Sequence, residues 1–95
     1  MDYASKMTNN KLAISGTVNK ITLDAENAYQ LILLSTITGT HFLMTPATSD
    51  IDAAVTDFLL PANEVVTINV GRGLNRLTSI TEGATGSLYI GALTP

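Results

Sequence analysis

The chain offers few side chains that perform chemistry: one His, no Cys, eight carboxylates, three Tyr and six Ser in 95 residues. An acyl-transfer enzyme needs a nucleophile, a base beside it and a group that orients the base. None of the six Ser lies in a Gly-x-Ser-x-Gly elbow. His41, next to Phe42 in an apolar stretch, is read as a structural imidazole, half-buried and hydrogen-bonded or at a subunit contact. No catalytic residue is assigned and no cofactor is expected. Asp50, Asp52 and Asp57 cluster in one segment, and hard cations take several oxygen ligands. Asp50-Ile51-Asp52 lacks the Gly and Glu of a calcium loop, so these carboxylates are expected to solvate a turn or cap a helix, and no metal is assigned. Gly71-Arg72-Gly73 has the first two glycines of a phosphate-binding turn, but Arg76 stands where the third belongs. A hairpin turn with Arg72 at its tip is the expectation. Tyr29, Phe42, Phe58 and Tyr89 would make a poor sugar platform, because the chain has no Trp and only 5% aromatic residues.

The elements that carry these residues read as short strands. Lys11 to Val18 alternate strictly, with Leu12, Ile14, Gly16 and Val18 on one side, as a half-buried strand requires. Asn19-Lys20 reads as a turn and Ile21 to Leu23 as a short extended piece. Asp24 to Asn27 break the pattern, and Ala28 to Ser35 is expected as a central strand buried on both faces at Leu31 to Leu34. His41 to Met44 extend until Pro46. From Ala47 to Asp57 the pattern allows a short helix over Ile51 to Val55, capped by Ser49 or Asp50; a loop entering a strand over Ala54 to Leu60 is preferred. Val66, Ile68 and Val70 alternate with Val65, Thr67 and Asn69, Leu77 and Ile80 stand at the odd spacing of a bulge or a change of buried face, and Ser87 to Ala92 form a last strand with Ser87, Tyr89 and Gly91 outward. Seven or eight antiparallel strands punctuated by Gly, Pro and Asn predict an all-β fold, a β-sandwich or jelly-roll-like barrel. Residues 1–10 are expected as a flexible amino-terminal arm and 11–95 as one domain.

Composition narrows the function further. Fourteen Thr, twelve Leu, eight Ile and five Val stand against five Lys plus Arg, net charge is -3, and charged residues make up 14%, against about 25% in an ordinary soluble domain. An acidic chain with scattered cations does not suit a nucleic-acid backbone or anionic lipid. Its longest apolar run, Leu31 to Leu34, is far short of a membrane-spanning helix. Met1 to Asn10 has no apolar segment behind a basic start, so no secretory signal is expected. A neutral, Thr-rich surface favours association.

Four segments extend this reading: Phe58-Leu59-Leu60-Pro61-Ala62-Asn63, Thr67-Ile68-Asn69-Val70, Leu77-Thr78-Ser79-Ile80 and Thr85-Gly86-Ser87-Leu88-Tyr89-Ile90-Gly91. Together they resemble the carboxy-terminal half of small β-sandwich virion proteins of tailed bacteriophages. The resemblance implies a capsid decoration, or cement, protein made in the host cytoplasm and carried on the capsid surface. Its partners would be further copies of itself, with a trimer as one arrangement, and the major capsid protein or other virion proteins. Shell contacts are then expected on the arm, at Tyr3, Lys6 and Lys11, at the Arg72 turn, and at outward Tyr89. A tail, connector or fibre-associated component, and a carbohydrate- or receptor-binding module, are the alternatives.

Overall fold

The computed structural model describes residues 6–23, 30–71 and 73–94, and among these every regular element is a strand. In chain order they are β1 (Lys6–Ile14), β2 (Asn19–Thr22), β3 (Gln30–Ser35), β4 (Thr40–Thr45), β5 (Phe58–Leu60), β6 (Val66–Asn69), β7 (Arg76–Thr81) and β8 (Gly86–Thr94). They form two four-stranded sheets, sheet I in the order β1-β8-β3-β6 and sheet II in the order β2-β7-β4-β5. All strand pairs are antiparallel, and β1 joins β8, β2 joins β7, β3 joins β6 and β4 joins β5. That is the pairing of one long hairpin bent over on itself, and the lateral contacts β3–β8 and β4–β7 close it into two sheets. The all-β expectation therefore holds, with the strand order of a jelly-roll sandwich.

Period-two alternation supplies the core. Leu31 and Leu33 of β3, Leu88, Ile90 and Ala92 of β8 and Ile14 of β1 face Phe42, Leu60 and Leu77 of sheet II, all buried. Hydroxyls that point inward are satisfied close to home. Ser35 Oγ and Thr40 Oγ1 share a 2.8 Å hydrogen bond across the β3–β4 corner, and Ser79 Oγ donates to the His41 carbonyl at 2.8 Å. A buried hydroxyl with a partner removes little stability, whereas an orphaned one is costly. Gly86 is needed for a close approach: a Cβ there would meet Ile37 Cγ2 and Thr36 Oγ1, each at 2.8 Å.

Several element boundaries differ from expectation. β1 begins at Lys6, so residues 6–10 of the expected arm are strand, paired with β8 from Thr94 to Ile90; residues 1–5 lie outside the described residues, as does the break at 24–29. The same strand ends at Ile14 because Ser15 turns the chain, its Oγ bonding the Thr17 carbonyl and amide. β3 buries Leu31, Leu33 and Ser35, but Ile32 and Leu34 on its other face are only half-buried. No helix forms over Ile51 to Val55, where the Ser49 Oγ accepts the Ile51 amide in a local turn, and β5 keeps only three residues. β7 pairs with β4 without a break from Arg76 to Thr81, so the odd spacing of Leu77 and Ile80 is not a bulge but the change of buried face that was its alternative, the two residues lying on opposite faces of the strand. Both faces of β7 are covered, and alternation disappears for that reason.

Truncating the central layer tests the packing. Leu33→Ala is expected to cost about 2–5 kcal/mol, a large share of the roughly 5–15 kcal/mol that holds a domain together. Urea unfolding should show the midpoint falling with little change in slope.

Candidate interaction face

Two sheets have four faces, and the two inner ones bury each other. The outer face of sheet II is covered by the chain itself. Residues 46–57, the strap between β4 and β5, cross it and are tied down at three places. Arg76 points outward from β7 yet is buried, with Nη1 donating to the Ile51 carbonyl at 2.8 Å and Nη2 to the Asp52 carboxylate at 2.6 Å. Thr78 Oγ1 accepts the Ala53 amide at 2.8 Å. His41, 5% exposed, has Nδ1 2.9 Å from the Asp57 carbonyl oxygen and Nε2 2.7 Å from Glu82 Oε2. The carbonyl and the carboxylate are both acceptors, so the protonated ring, with two N–H donors, satisfies both. Its pKa is held above the ordinary value of 6.5, chiefly by the Glu82 hydrogen bond and next by the Asp57 carbonyl, against the opposing effect of burial.

Three of the polar groups singled out from the sequence, His41, Asp52 and Asp57, are therefore engaged structurally, while Asp50 is exposed. Asp52 pairs with Arg76, and Asp57 Oδ2 accepts the Ala54 amide at 2.7 Å. Among the described residues, no three His, Asp or Glu come close enough together to hold a metal ion, and no helix is long and apolar enough to cross a membrane.

Among the described residues, no segment covers the outer face of sheet I in this way. Register places Lys11, Tyr89 and Leu34 in one row across β1, β8 and β3, and Asn9, Gly91, Ile32 and Thr67 in the next row, which reaches β6. Lys11 carries the only charge among the described outward positions of this sheet. Gly91 has no side chain, so a hollow of about 330 Å³ opens over it, walled by Ile32, Leu34, Val65 and Tyr89. Val65 is 67% exposed and Tyr89 43% exposed. An apolar hollow of this kind, set in a sheet face with a single charge among its described outward positions, is a candidate contact site.

Of the five contact residues expected from sequence, the structure brings two together: Lys11 and Tyr89 are direct cross-strand partners, with the Lys11 ammonium 5.7 Å from the Tyr89 ring centre. That distance suits a cation–π contact. Lys6 lies on β1 opposite Thr94, at the far end of the same edge strand. Tyr3 and Arg72 lie outside the described residues, as does Tyr29 of the sugar platform, while Phe42 and Phe58 stack edge to face on sheet II, 5.4 Å apart, away from Tyr89. Val65 and Gly91 were legible as outward positions but not as contact residues, and Ile32 and Leu34 were missed altogether. The run Leu31 to Leu34 is apolar at every position, so only a strand on which β3 is paired on both sides shows which two residues face out. Comparison with protein-family models, curated proteins and solved structures finds no match to this chain.

Replacing Arg76 tests the strap's attachment. Arg76→Met preserves the stem's packing but leaves the Ile51 carbonyl and the Asp52 carboxylate without their donor. A loss of about 1–3 kcal/mol is expected, read as a lower denaturation midpoint, together with faster amide exchange at Ile51 to Ala53.

Proposed function

We propose that the chain is a structural virion subunit, a capsid decoration protein that docks the outer face of sheet I on its neighbours and has no catalytic activity of its own. One observation carries the reading: that face presents Val65 and Tyr89 around an apolar hollow, with a single cation nearby, while on the opposite outer face the strap already covers β4 and β7. The residues resembling small phage virion proteins support it further, since Tyr89 and Gly91 of the closing strand are the ones that shape the hollow. Jelly-roll sandwiches serve in capsids and in lectins alike, so the fold alone does not choose between them. Neutrality and low aromatic content favour a protein surface over a sugar as the occupant.

A cement protein works by linkage. It binds the assembled shell and not its separated parts, and so lowers the free energy of the assembled state by mass action. A largely uncharged apolar contact serves this purpose because its strength depends little on salt. The major capsid protein and further copies of this chain are the partners this reading names.

Purified protein is expected to sediment above its monomer mass of 10.0 kDa and to add to capsids of its own phage that lack it, raising the temperature at which DNA escapes. Val65→Glu and Tyr89→Glu alter exposed positions and should leave thermal unfolding almost unchanged while weakening shell binding at least tenfold, about 1.4 kcal/mol. A persistent monomer that ignores such capsids would overturn the reading. Labelling on intact particles that marked the tail would assign the chain there, and glycan binding lost in Tyr89→Ala would favour a sugar-binding module.

A further inference from the structure

We propose that His41 is a proton-operated latch on the strap: the doubly protonated ring holds Asp57 and keeps residues 54–57 on sheet II, and loss of the Nδ1 proton to solvent releases them. Geometry decides which proton leaves. Glu82 Oε2 sits 2.7 Å from Nε2, and a carboxylate can only accept, so the neutral ring keeps its hydrogen on Nε2. Nδ1 then turns a lone pair toward the Asp57 carbonyl oxygen 2.9 Å away, and an attraction becomes a repulsion.

The surroundings leave this contact without a substitute. Two charged groups face the ring: Glu82, from the β7–β8 turn, and Asp57, from the strap. The Asp57 carboxylate is engaged by the Ala54 amide, which makes residues 54–57 one compact turn, closed also by the Asp57 amide on the Ala54 carbonyl at 2.9 Å. The register neighbours of His41, Leu59 on β5 and Ile80 on β7, are apolar. The other end of the strap is held separately by Arg76 and Asp52, so opening is confined to the part nearest β5. That part carries exposed Val55 and leads directly into exposed Phe58 and Leu59, so the latch governs where a second apolar surface is presented. This inference does not depend on the capsid reading.

The sign follows from the raised pKa of His41. The latch contributes fully below the ordinary value of about 6.5 and is lost as pH rises through the higher value of the closed state. The strap is therefore held most firmly below about pH 6.5 and loosens as pH rises through the raised value of His41.

Nuclear magnetic resonance on the full chain tests it. In the wild type, the amides of Ala54 and Asp57 should shift with the same midpoint as the His41 ring. Their exchange protection, corrected for intrinsic rates, should fall about tenfold for each unit by which opening lowers the His41 pKa. Glu82→Gln is the decisive variant, since an amide can donate to Nε2 and so lets the neutral ring keep its Nδ1 hydrogen on Asp57. There His41 should titrate at lower pH while the strap amides no longer follow it. His41→Gln, should it fold, must leave the strap amides flat across the same range. Strap amides that stay flat through the wild-type His41 titration, or that follow it unaltered in Glu82→Gln, would overturn the latch.

Discussion

A sandwich of two sheets has to dispose of four faces, and everything distinctive about this molecule follows from how few residues it has to do so. The inner faces close on each other through Leu31, Leu33, Leu88 and Ile90 against Phe42, Leu60 and Leu77. Hydrophobic burial of this layer is the main favourable term, and hairpin-like pairing of β1 with β8 through β4 with β5 lets a short chain reach it with strands of three to nine residues. A domain this small leaves much of its surface exposed, so the remaining two faces matter.

The chain covers one of them itself. The strap lies over β4 and β7, and what holds it is polar: an outward guanidinium, a threonine hydroxyl and an imidazole ring, each bonded to the strap. Buried polar groups of this kind are directional. A hydrophobic cover could slide by a residue, whereas a guanidinium bonded to the Ile51 carbonyl and the Asp52 carboxylate accepts one register. The strap thereby converts a face that alternation would leave in water into one buried on both sides, and it makes His41 the only titratable imidazole in the chain, a part of the support.

The other outer face is left open by the described residues, and its character is set by their outward side chains. Gly91 provides no wall, no carboxylate appears among its described outward positions, and Lys11 lies over the Tyr89 ring. A surface that sheds one cation and a few apolar side chains from water on contact suits a subunit whose work is adhesion to neighbours. The proposed role as a decoration protein is the simplest use of that asymmetry, with one face closed by the chain and the other available to a shell.

Period-two alternation and turn residues determined by themselves that the chain is all-β, that Leu12, Ile14, Val66, Ile68, Leu88 and Ile90 point inward and that Lys11 and Tyr89 point outward, because alternation is a local property of the pleated backbone. The same local logic failed where a second partner intervened. His41 was legible as a hydrogen-bonded structural imidazole, but nothing local to Arg76 and Thr78 signals the strap that covers them, and β7 lost its alternation for that reason. His41 and Glu82 stand 41 positions apart and meet only because β4 and β7 are neighbours in sheet II. Ile32 and Leu34 were hidden in an unbroken apolar run whose facing depends on register across three strands. Which outer face is closed and which is open was thus decided by tertiary structure alone, since coverage of a sheet depends on where a distant segment comes to rest.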